Sequence, residues 1–158
     1  MYIKEDGKKY RLATVKEISD SLVEKLKLTF DRSPLLCEED VANYLRAKYS
    51  LETQEFFGCI MLDLELKVIC VTELAKGSLK ECAVLPRQVV KAALDANASA
   101  VMLFHNHPGA NPMPSQADIN FTNKTKVALK LFDIDLHEHM IVAGPTVVSL
   151  RKMGLMDD

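Results

Sequence analysis

No stretch of this sequence approaches the ~20 consecutive apolar residues of a membrane-spanning helix. The first residues, MYIKEDGKKYRL, lack the apolar core of a secretory signal. No internal repeat or low-complexity tract is present. Basic residues are not in surplus. Lys and Arg number 20 against 22 Asp and Glu, a formal net charge of -2, so the global positive footprint of a dedicated nucleic-acid binder is missing. That leaves room for a local basic patch only. Cysteine is scarce and never arranged as C-x-x-C: the four are Cys37, Cys59, Cys70 and Cys82. Cys59 and Cys70 fall within apolar runs, where free buried thiols are expected. This usage suits a reducing compartment better than a disulfide scaffold, and the expected location is cytoplasmic.

What the chain does have is enough for one domain without staples: 158 residues, 48% hydrophobic and 27% charged. Val15, Ile18, Leu22, Val23 and Leu26 recur at helical spacing, and Asp31-Arg32-Ser33-Pro34 breaks the pattern. A second helix is predicted over Glu38 to Lys48, with Val41, Leu45 and Tyr49 on one stripe. Residues 1–50 thus read as an N-terminal helical extension, and residues 51–158 as the main domain. From Glu55 a continuous apolar run to Leu62 predicts a strand buried on both faces. Leu66 to Leu74 makes a second strand, joined to the first by a short hairpin loop, and Gly77 marks a bend. Pro86 opens a helix whose apolar face is Val89, Val90, Ala93, Leu94 and Asn97. Ser99 to His105 is a third strand, Gln116 to about Phe132 a helix, and Met140 to Ala143 and Val147 to Leu150 a closing hairpin. The class is α+β.

The chemistry is concentrated between His105 and Asp118. His105 and His107 stand two apart at the end of a strand, so both rings project to one face and can meet one ion. The prolines and glycine of Pro108 to Pro114 limit the freedom of the return segment that brings Asp118 back. Two imidazoles and a carboxylate match a catalytic zinc site, which commonly keeps three protein ligands and an open fourth position. Ser115-x-x-Asp118 also reads as a capping box ahead of a helix. The two readings are compatible, because a cap would fix the helix whose first turn presents Asp118. A rival pair, His137 and His139, flanks Glu138 near Asp133 and Asp135. It lacks a constrained loop and a downstream ligand, so an exposed strand end or a core-facing, hydrogen-bonded His139 is expected there.

The spacing His105-x-His107, seven residues, Ser115, two residues, Asp118 resembles the JAMM metalloprotease motif of MPN/JAB domains. The surroundings resemble the bacterial RadC family in particular. They include Gln54-Glu55-x-Phe57, Gly77-Ser78-Leu79, Pro86-Arg87-x-Val89, Asn97-Ala98-Ser99-Ala100, His105-Asn106-His107-Pro108, Ser149-Leu150 and Gly154. The resemblance runs from about Thr53 to Leu155. It implies a cytidine-deaminase-like αβα sandwich with a mixed central sheet, carrying Zn2+ on His105, His107 and Asp118. The family's upstream glutamate falls on Glu55; spacing alone would make this residue a solvent-facing strand start. Glu73 is the other acid near the strands but matches no motif position. The family usually has Ser-Gly after the His-Pro pair, whereas this chain has Gly109-Ala110, and Glu138 stands where an Asp is usual. No helix-hairpin-helix motif is evident in residues 1–50, so a short form is expected.

The implied activity is zinc-dependent hydrolysis of a peptide or isopeptide amide. Glu55 would move the proton from the attacking water to the leaving amine, and Ser115 would donate to the oxyanion. The alternative is a DNA-repair-associated nucleic-acid-binding protein with a structural or vestigial metal, for which Lys124, Lys126 and Lys130 offer a possible basic helix face. Expected partners are an unidentified protein or peptide substrate. DNA is not supported by the net charge, and no membrane association is expected.

Overall fold

Buried apolar runs and amphipathic helices of this kind should stack in layers, and they do. The computed structural model describes residues 2–5, 9–30, 38–77 and 84–156. Cys37, Cys82, the Asp31–Pro34 break and Ser78-Leu79 lie outside the described residues. A five-stranded mixed sheet has the order β4 (Val68–Gly77), β3 (Glu55–Leu62), β5 (Ala100–Asn106), β6 (Asp135–Ala143), β7 (Thr146–Ser149). The β5–β6 pair is parallel and the other pairs are antiparallel. Helices α1 (Val15–Phe30) and α2 (Glu38–Tyr49) lie on one face, α3 (Pro86–Asp95) and α4 (Gln116–Lys130) on the other. The protein is therefore an α+β sandwich with a mixed central sheet. No helix among the described residues is long and apolar enough to cross a membrane.

Strand alternation sorts the core into two halves. Phe56, Ile60 and Leu62 of β3 join Met102 and Phe104 of β5 beneath α2, which contributes Val41, Leu45 and Tyr49 as its stripe predicts. Phe57, Cys59 and Met61 join Val101 and Leu103 beneath α3 and α4. His105 continues this second set, so the loop that follows opens on the α3/α4 side. Gly58 sits at a close approach on the first face. A Cβ there would lie 2.5 Å from both the Phe104 ring and the backbone oxygen of Thr72. Gly58→Ala is expected to cost about 1–3 kcal/mol by overpacking. Thermal melting followed by circular dichroism should show a lower midpoint, and an unchanged midpoint would contradict this packing.

Some elements differ from their predicted form. Residues Tyr2–Glu5 and Lys9–Leu12 form an antiparallel hairpin, β1–β2, where only a charged start is expected; four-residue strands leave little apolar pattern to read. Strand β6 begins at Asp135, five residues before Met140, because its first half is the polar run Asp-Leu-His-Glu-His. Of the α3 stripe, Val89, Val90 and Ala93 are buried, but Leu94 is exposed and Asn97 lies beyond the helix at φ 51°. In α1, Val15, Ile18 and Leu22 are exposed and only Val23 is buried among the described side chains. This helix leans chiefly on α2, and Val15, Ile18 and Leu22 of its stripe stay uncovered.

Candidate metal centre

Each candidate ligand is placed by a different local device. His105 is the penultimate residue of β5, whose seven residues are all buried. Its ring is stacked on Phe57, at 5.9 Å and 17°, and Phe57 is its direct cross-strand neighbour. His107 follows the strand. Its N–H donates to Val142 O (2.8 Å) and its Nδ1 donates to Asn111 O (2.8 Å), a contact only the imidazole can supply with a proton. Ala110, in the turn between them, has φ 56°. It adopts the left-handed conformation that glycine takes most readily, at a small steric cost.

Asp118 arrives on the first turn of α4. Ser115 is the N-cap (φ -76°, ψ 162°) and accepts from Asp118 N–H at 3.1 Å. Asp118 Oδ2 in turn accepts from Ser115 N–H and Ser115 Oγ–H, both at 2.7 Å. The capping box is thus present, and it aims the carboxylate. Burial opposes ionisation of Asp118, but the neighbouring His105 imidazole and the two Ser115 donors outweigh it and hold the carboxyl well below its usual range.

These devices converge. Ligand atoms of His105, His107 and Asp118 all lie within 4.8 Å of one another, the one such group among the described residues. The two Nε2 atoms are 2.9 Å apart, with Asp118 oxygens 3.4 Å from His105 Nε2 and 3.8 Å from His107 Nε2. Two imidazole nitrogens and a carboxylate, half-buried to buried, are a donor set of borderline softness that suits zinc. The chemistry of the residues fits the ion.

The other candidates are placed as follows. Glu55 is the first residue of β3, half-buried and outside the three-residue cluster. It precedes Phe57 by two and so shares the His105 face of the sheet. Asn106, between the two histidines, clamps this strand start. Its Oδ1 accepts from Phe56 N–H (2.6 Å) and its Nδ2 donates to Gln54 O (3.0 Å), so it holds the peptides on both sides of Glu55. Glu73 is on the opposite face, bonded to Tyr49 (2.7 Å) and Lys48 (2.8 Å). The rival His137/His139 pair does not assemble a ligand group among the described residues. His139 is fully buried, with Nε2 2.8 Å from His105 Nδ1 and Nδ1 2.6 Å from Thr122 Oγ1. Glu138 is buried on backbone His139 N–H (2.7 Å) and Ser149 Oγ–H (2.6 Å). Sequence reasoning missed Asn106, Thr122 and the work of Glu138. The adjacency of Asn106 to both histidines was the available clue. The α4 lysines do not form one face: Lys126 and Lys130 border Asp133 and Asp135, while Lys124 borders Asn120, Asn123 and Val127.

Residues 35–155 match the family model described as a RadC-like JAB domain. A UPF0758 protein of Neisseria meningitidis serogroup C (strain 053442) is 39% identical over 148 residues, 92% of this chain and 64% of that protein. A UPF0758 protein of Marinomonas sp. (strain MWYL1) is 44% identical over 118 residues, 75% of this chain and 53% of its own length. One of Marinobacter nauticus is 41% identical over 123 residues, 78% and 55% respectively. The chain spans between about half and two thirds of the length of these relatives.

Proposed function

Given that the chain belongs to the RadC-like JAB domain family, we propose that it is a zinc-dependent hydrolase of the JAMM type acting on a peptide or isopeptide amide. The observation that carries this reading is the convergence of His105, His107 and Asp118 within 4.8 Å at the mouth of β5. A bound zinc ion supplies Lewis acidity, lowering the pKa of a coordinated water toward ~7 and polarising a carbonyl. The three residues would hold it through His105 Nε2, His107 Nε2 and the Asp118 carboxylate. Glu55, on the same face and fixed at its flanking peptides by Asn106, takes the proton of the attacking water and returns it to the leaving amine. Ser115 gives its proton to Asp118 Oδ2 in the resting arrangement. Because Ser115 N–H also serves that oxygen, the hydroxyl can turn toward a developing oxyanion without stripping the carboxylate of donors.

The test is metal analysis of protein purified without chelators. About one equivalent of zinc per chain is expected, and none in His105→Ala. A wild-type chain that neither retains zinc nor takes it up would end this reading.

A further inference from the structure

Behind His105 runs a chain of contacts whose polarity is fixed at its far end. The backbone carbonyl of Asp118 has no proton to give, so Thr122 Oγ1 donates to it at 2.6 Å. That commits the one hydroxyl proton of Thr122. The 2.6 Å contact between Thr122 Oγ1 and His139 Nδ1 must then carry a proton from His139. A neutral imidazole has a single N–H, so His139 Nε2 is an acceptor. The 2.8 Å contact from His105 Nδ1 to His139 Nε2 therefore carries the proton of His105. His105 Nε2 is left bare, and it is this atom that lies 2.9 Å from His107 Nε2 and 3.4 Å from Asp118.

We propose that Thr122 and His139 are positioning residues that lock His105 in its Nδ1–H tautomer and thereby set the zinc affinity of the site. The proposal rests on the metal-centre reading above and extends it to two buried residues outside the ligand cluster. One further observation agrees with it. Thr122 lies one turn after Asp118 on the same helix, so α4 carries one ligand and orients another. A plain structural role would require only that Thr122 bond back to the carbonyl four residues earlier and that His139 be a satisfied core residue.

Long-range 1H–15N correlation spectra of the metal-free full chain, recorded near pH ~8.5 so that imidazoles are neutral, read the tautomer directly. His105 is expected as Nδ1–H in the wild type and in Thr122→Ser, and as a tautomer mixture in Thr122→Val. Zinc competition against a chelator should show Thr122→Val about 10–100-fold weaker, with Thr122→Ser within roughly threefold of wild type. Thr122→Ala is the second variant should the valine protein not fold, with the same loss expected. A wild-type His105 protonated on Nε2 overturns the proposal whatever the variants do. So does a folded Thr122→Val or Thr122→Ala chain with unaltered zinc affinity. Absence of zinc binding by the wild type overturns the metal-centre reading itself, and the affinity claim with it.

Discussion

Exchanging Glu55 for glutamine is expected to lower amide turnover by roughly 10²–10⁴-fold, the usual contribution of a positioned general base, while leaving bound zinc at the wild-type level. The two halves of the expectation come from different parts of the site. Glu55 is not a member of the three-residue ligand cluster, so its amide should not disturb metal retention. It does sit on the His105 face at the head of β3, and Asn106 holds the peptide groups on either side. Glutamine keeps the size and hydrogen-bonding reach of the side chain but cannot take up a proton at neutral pH. Metal analysis and turnover of a fluorogenic peptide or isopeptide amide cleaved by the wild type, measured on the same preparation, separate the outcomes. Loss of both zinc and turnover would make Glu55 part of the metal's support, and retained turnover would remove it from the chemistry.

Much of this arrangement was legible in the residues, and the reasons are local. Strand β5 announces itself because a parallel neighbour and two helix layers demand an apolar run on both faces, and Ala100 to Phe104 provide it. The start of α4 is legible because Ser115 and Asp118 satisfy each other's backbone at fixed spacing. The first half of β6 was not, since its hydrophobic pattern is interrupted by Glu138 and His139. Both are fully buried in the fold, and only tertiary partners make that tolerable: Ser149 and backbone N–H for the glutamate, His105 and Thr122 for the histidine. Periodicity cannot reveal a polar residue whose partner lies on another element. The same limit hid the back of the metal centre. His139 is recognisable from sequence as a candidate core histidine, but its link to His105 exists only because β6 pairs in parallel beside β5. The stripe of α1 errs in the other direction, a helical pattern of which Val15, Ile18 and Leu22 stay exposed.

Asp118→Asn is the second large effect, and it should appear in two measurements of opposite character. Removing the carboxylate deletes a ligand and the only negative charge of the cluster, so zinc affinity should fall by more than the ~100-fold that changes one layer further out produce. In the metal-free protein the consequence is a change in pH dependence. The folded-state pKa of Asp118 lies well below its usual range because the neighbouring His105 imidazole and the two Ser115 donors outweigh the opposing burial. A depressed carboxyl stabilises the fold above its unfolded pKa of ~3.9 and loses that contribution as pH falls toward the folded value. The wild type should therefore exceed Asp118→Asn in stability at neutral pH by on the order of 1–3 kcal/mol, and the gap should close below about pH 4. Asparagine retains a side-chain oxygen for Ser115, so the capping geometry survives and the variant should fold. Chelator competition and melting midpoints across pH read the two effects independently. A gap that stays constant through the acid range would show that the carboxylate's ionisation contributes nothing to the fold, and unchanged zinc affinity would remove Asp118 from the ligand set.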